Sequence, residues 1–139
     1  MKNLKVSGTL EALAPIAHFV LEAANFAELD TKAANHLRLA VDEIATNIVV
    51  YGYQQSGLSG DIELTAVIDE QRLVLILEDT AREFNPLQKP PPDLTLPLEQ
   101  RPIGGLGILL AIKSVDKFEY ERVENRNRNI FMVNCPRPI

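Results

Sequence analysis

The sequence predicts an α+β fold, a two-layer sandwich in which helices cover one face of a mixed, mostly antiparallel sheet. Two stretches with apolar residues at helical spacing open the chain, at residues 10–26 and 32–53. Two alternating segments follow at 61–68 and 72–79, and two more strands close it at about 117–124 and 129–135. Each of these pairs is joined by a short polar turn, which suits antiparallel neighbours and not parallel ones.

Taken in order, "KNLKV" at 2–6 reads as a short edge strand. In "LEALAPIAHFVLEAANF" Pro15 falls near the start, where a helix tolerates proline best. Asp30 or Thr31 caps the second helix, and Gly52, Gly57 and Gly60 mark its end and the loop beyond. In "DIELTAVI" Ile62, Leu64, Ala66 and Ile68 share a face, as do Leu73, Leu75 and Leu77 in "RLVLILED"; "DEQ" links the two. Six of the nine prolines then fall between Phe84 and Ile103, and no periodicity survives there. A segment that long without structure is functional or disordered as a rule, and 84–103 is read as a lid. "GGLG" at 104–107 leads into a short apolar helix, "ILLAIKSV", and "ENRNR" at 124–128 separates the last two strands. No repeat or linker divides the 139 residues, so one domain, 1–139, is expected.

Composition narrows the function classes. A net charge of -5 argues against direct nucleic-acid binding, which needs a basic surface. The single cysteine, Cys135, excludes an internal disulfide and a cysteine-rich zinc site. No run of about 18 apolar residues is present to cross a membrane. The first residues, "MKNLKVSGTLEAL", lack the apolar stretch of a signal peptide, so a cytoplasmic protein is expected.

The chemistry sits in three places. On a helical wheel Leu37, Ala40, Val41, Ile44, Ile48 and Tyr51 form the apolar stripe of the second helix, while Asn35 and Asp42 face water. Glu43 and Asn47 lie together on one flank, with His36 further along the same line. Four residues apart, they reach one small object. The plainer reading is a solvated margin. The functional one is a cleft, with the carboxylate taking a proton and the amide oxygen ligating Mg²⁺. By alternation Asp79 shares the face of Leu73, Leu75 and Leu77, where an ionised carboxylate needs a partner. An exocyclic amine such as adenine's suits it; otherwise Asp79 has left the strand and caps a turn. Glycines before a helix either cradle phosphate or act as a hinge. "GxxxxGK[ST]", GxSxG, HExxH and CxxC are all absent.

Together, "LAVDEIATNIVVYGY", "EDTAREFNP" and "GGLGILLAIKSVD" resemble the N-box and the two glycine boxes of the anti-sigma-factor serine kinases. These are small bacterial members of the histidine-kinase-like (GHKL) ATPase superfamily, and the resemblance spans nearly the whole chain. It implies that superfamily's two-layer sandwich, with ATP and Mg²⁺ as cofactors. Asn47 would ligate the metal, and Glu43 would be the general base toward a serine hydroxyl. Asp79 would accept from the adenine amine. Ala81, Phe84, Gly104, Gly105, Leu106 and Gly107 would complete the nucleotide site, with Arg101 near the phosphates. Phe84 and Pro86 would shape the turn beneath the lid. The expected substrate is a small anti-sigma-factor antagonist protein and the sequestered partner a sigma factor; homodimers are frequent in the family. The alternative is an ATP-binding partner-switching module without phosphotransfer. Two departures stand out. Ala81 replaces the first box's usual glycine, and "RNRNIF" replaces the last hairpin's Gly-Thr, leaving Asn129 as the polar group there.

Overall fold

A computed structural model describes residues 2–88 and 105–135. Strand β1 (Lys2–Ser7) precedes helices α1 (Leu13–Phe26) and α2 (Thr31–Asn47). Then come β2 (Asp61–Ile68), β3 (Arg72–Asp79), α3 (Gly105–Lys113), β4 (Lys117–Val123) and β5 (Arg126–Asn134). The five strands form one sheet in the order β1-β2-β3-β5-β4, and every neighbouring pair is antiparallel.

Local chemistry explains the joints. The Asp30 carboxylate caps α2, accepting from Ala33 N–H at 2.7 Å, so Asp30 and not Thr31 is the cap. Asp69 Oδ1 turns β2 into β3 by accepting from the N–H groups of Gln71 and Arg72 at 2.7 and 2.8 Å. The last hairpin is tighter than its polar run suggests. Only Glu124 and Asn125 form the turn, with φ of 50° and 67°, the left-handed pair that a two-residue hairpin demands. β5 therefore starts at Arg126, so Asn127 joins Asn129 in the strand and does not belong to a loop.

The core lies between the helices and one sheet face. Ile62, Leu64, Leu73, Leu75, Leu77 and Phe131 meet Ile16, Val20, Leu37, Val41 and Ile44, all buried. Each such side chain contributes about 1.5–3 kcal/mol on burial. The other face carries one row of charges through all five strands. Lys5, Glu63, Glu78, Arg128 and Glu121 stand opposite one another in register. Glu63 and Glu78 would repel each other, but Arg126 bridges both, at 3.1 and 3.0 Å.

α2 does not continue as an α-helix to Tyr53. From Ile48 to Gln54 it widens to i→i+5 pairing, with Gln55 N–H donating to Val50 C=O at 2.9 Å. The extra residue per turn rotates the side chains beyond it. Tyr51, expected in the core stripe, becomes half-buried, and Tyr53 is the buried ring, 1% exposed. Tyr53 O–H donates to Asp61 C=O at 2.7 Å and accepts from Thr80 N–H at 3.0 Å, joining the widened turn to the start of β2 and the end of β3. Its ring leaves no space beside Gly8, where a Cβ would come within 2.5 Å of it. Tyr53→Phe keeps the ring and strands both backbone groups. It is expected to lower unfolding free energy by about 1–3 kcal/mol in urea titrations; a loss below a few tenths would show that the hydroxyl is not the anchor.

Candidate functional site

A cavity of about 480 Å³ opens where the end of α2 and its widened turn pass over the ends of β3 and β5. Ile44, Asn47, Ile48, Tyr51 and Gly52 form the helix side; Asp79, Asn127 and Asn129 form the sheet side. The segment after β3 closes a third side with Ala81, Arg82, Glu83, Phe84 and Pro86.

Asp79 is the deepest polar group, with no exposed surface. Strand alternation keeps it on the inward face, two residues beyond Leu77, so it has not left the strand. Oδ1 accepts from Asn127 Nδ2 at 2.8 Å and from Ala81 N–H at 2.9 Å. Oδ2 is buried without a partner. Burial pushes the carboxyl above the ordinary aspartate range, and the bonds from Asn127 and Ala81 only partly oppose this.

Asn127 is the hub. Beyond Asp79, its Nδ2 donates to Arg82 C=O at 3.0 Å, and its Oδ1 accepts from Tyr120 O–H and Arg122 Nη1. One amide thus ties β3, β4, β5 and the segment leaving β3. Asn129, two residues on and facing the same way, is 2% exposed, and its Oδ1 also lacks a partner. The sequence hides Asn127 inside a polar run that has the composition of a turn. The alternation of Phe131 and Val133, extended backward, is the signal that finds both asparagines.

Asn47 is buried and points into the cavity wall, and among the described residues nothing hydrogen-bonds its amide. Glu43, one turn earlier, is half-buried and is not part of that wall. It lies against the first turn of α3, where a Cβ on Gly107 would fall 2.6 Å from its Cδ. The helix begins at Gly105, so Gly105, Leu106 and Gly107 occupy its first turn and are not a free loop. Glycine weakens a helix by about 1 kcal/mol; at 107 the space is taken by a carboxylate. His36 is exposed. Arg101, Gly104 and residues 89–103 of the expected lid lie outside the described residues. Among those described, no three His, Cys, Asp or Glu side chains group so as to hold a metal. A cation beside Asn47 would take its other ligands from water and a bound anion, the habit of Mg²⁺.

Ala81 fits without strain. Its φ is not positive, and its methyl fills the place a Cβ on Gly52 would need, 2.8 Å away. Arg82 N–H donates to Gly52 C=O at 3.3 Å, fastening this segment to the widened turn. An apolar slot with a buried, unpartnered carboxylate oxygen in its wall suits a flat ring bearing an amine.

A family model described as a histidine kinase-like ATPase domain matches residues 6–133. Over 121 residues the chain is 27% identical to the serine-protein kinase RsbW of Bacillus thuringiensis (strain Al Hakam), covering 84% of this chain and 74% of that one. Proteins of the same name from Bacillus cereus (strain 03BB102) and Bacillus thuringiensis subsp. konkukian (strain 97-27) match to the same extent. No described helix is long and apolar enough to cross a membrane.

The raised Asp79 carboxyl has a consequence for stability. Between its ordinary value of 3.8 and its higher folded value, the native state holds more protons than the unfolded chain. Stability contributed at this site is therefore full below that window and falls as pH rises through it. Asp79→Asn removes the titration. The stability of the variant minus that of the parent should rise with pH from 3.8 upward and then level off, read by urea unfolding across a pH series. A difference independent of pH would refute the assignment.

Proposed function

Because the chain belongs to the histidine kinase-like ATPase family, we propose that it is an ATP-dependent protein serine kinase. Its substrate is a small anti-sigma-factor antagonist protein, and its sequestered partner is a sigma factor. It works in the cytoplasm, and the likeness to the RsbW serine-protein kinases supports the reading. One observation carries it: a fully buried carboxylate, Asp79, keeps one oxygen unpartnered in the wall of a cavity that Asn47 also lines, with Glu43 one helical turn away.

Asp79 Oδ2 accepts from the adenine amine, and the apolar side chains of Ile44, Ile48 and Ala81 hold the ring. The phosphates run toward Asn47 and the start of α3, whose first N–H groups have no partner within the helix. The amide oxygen of Asn47 would hold Mg²⁺, which, when bound, offsets phosphate charge. Glu43 accepts the proton of the substrate serine as its Oγ bonds to the γ-phosphorus. The bond from that phosphorus to the β,γ-bridging oxygen breaks, and ADP leaves with the electron pair. Such transfer relies on positioning and electrostatics, and Gly107 serves it by leaving room for the Glu43 carboxylate.

Incubation with labelled ATP and candidate small anti-sigma-factor antagonist proteins tests this. Glu43→Gln should cut phosphotransfer by roughly 10²–10⁴-fold while ATP affinity stays within a factor of a few. ATP binding by a parent that transfers no phosphate to any antagonist would instead establish a partner-switching module. Asn47→Ala should weaken the Mg²⁺-dependent part of ATP binding in calorimetry; an unchanged metal dependence would refute its role.

A further inference from the structure

Arg122 lies on the edge strand β4, outside the cavity wall, and reaches the site from behind. Its Nη1 donates to Asn127 Oδ1 at 3.0 Å and, more loosely, to Ala81 C=O at 3.4 Å. Tyr120 O–H and Phe84 N–H also donate to that amide oxygen. On the other side of the amide, Asn127 Nδ2 donates to Asp79 Oδ1 at 2.8 Å. The two ends of an amide differ, one accepting and one donating. Turned over, Asn127 would set its oxygen against the carboxylate and its NH₂ against Arg122. A tyrosine hydroxyl donates or accepts, so Tyr120 tolerates either orientation. A guanidinium only donates, so Arg122 admits one.

We propose that Arg122 is a positioning residue for the base site: by holding the Asn127 oxygen on its own side, it keeps the Asn127 NH₂ on Asp79 Oδ1 and leaves Oδ2 as the open acceptor of the carboxylate. The inference rests on the adenine-nucleotide reading and adds to it a residue that touches no nucleotide. Oδ1 already takes two N–H donors, so a proton bound by Asp79 goes to Oδ2 and turns the acceptor into a donor. Burial favours that proton; the bonds from Asn127 and Ala81 oppose it, and the charges of Arg122 and Arg126 add to the opposition. Arg126 is already shared by Glu63 and Glu78 on the outer sheet face. Tyr53 from the widened turn and Tyr120 from β4 also feel Asp79, but burial raises both phenols and they stay neutral. Removing Arg122 therefore makes Asp79 take up its proton at higher pH.

Calorimetric titration with ADP across a pH series, on the parent, Arg122→Met and Arg122→Lys, tests the proposal. ADP affinity of the parent should fall on acidification as Oδ2 takes its proton. In Arg122→Met the fall should begin about one pH unit higher, the lower end of what a nearby opposite charge does to a carboxylate. Between the two falls that variant should bind ADP up to about tenfold more weakly than the parent. Above both falls the two affinities should agree within a factor of a few, because an ionised Asp79 orients the amide by itself. Arg122→Lys keeps the charge and a donor and should follow the parent. Should Arg122→Met not fold, Arg122→Gln removes the charge with the same expected shift. A loss of equal size at every pH is what a merely structural role predicts; that result, or an unmoved fall, would overturn the proposal. Failure of the parent to bind ADP would overturn the nucleotide reading instead. Arg122 is then judged by urea unfolding: the stability gained by Asp79→Asn should level off about one pH unit higher in the Arg122→Met background. An unmoved plateau would remove its hold on Asp79.

Discussion

A carboxylate shut away from water needs hydrogen bonds, and Asp79 receives two on one oxygen and none on the other. The satisfied oxygen belongs to the fold. It binds the Ala81 N–H and the Asn127 amide, and through Asn127 it is tied to Tyr120, Arg122 and the backbone at Arg82. The other oxygen is buried in the cavity wall with no partner among the described residues. Leaving a buried acceptor unpaired costs on the order of 1–3 kcal/mol, and a ligand that brings the missing donor recovers that cost. The orientation of the acceptor is set before any ligand arrives, because three strands and the segment leaving β3 hold the same amide.

The helix side of the site depends on a different device. Widening at Ile48–Gln54 lets Tyr51 and Gly52 face the cavity while Tyr53 goes inward. A regular α-helix would have turned these three side chains otherwise. Gly52 then packs its bare Cα against the Ala81 methyl, and Tyr53 reaches Thr80 and Asp61. The motif on α2 and the motif after β3 are thus one unit, although more than 25 residues lie between Tyr53 and Ala81.

Periodicity made the helices, the first hairpin and the inward-facing Asp79 legible, because a core-facing stripe leaves a mark in composition at every third or second residue. The same logic placed Asn47 at the stripe's edge. The features that escaped did so for physical reasons. The polar run 124–128 looks like a loop by composition, yet only Glu124 and Asn125 adopt left-handed backbone, and the next asparagines are held inward by strand alternation. The change from i→i+4 to i→i+5 pairing has no compositional trace, so the burial of Tyr53 in place of Tyr51 was out of reach. That Gly107 yields its side-chain space to Glu43 is a contact between distant segments, and no local pattern records it.

The row of charges on the back of the sheet bears on all of this. Moving β5 by one residue against β3 would throw Asn127 and Asn129 outward, and the hydrophobic pattern alone forbids it. Moving it by two would not: every side chain would keep its side. In one direction such a slip would set Glu78 against Ile130, abandoning Arg128 and breaking the line that runs from Lys5 to Glu121. The half-exposed ions behind the sheet therefore act as a ratchet tooth, fixing which pair of amides is presented in front.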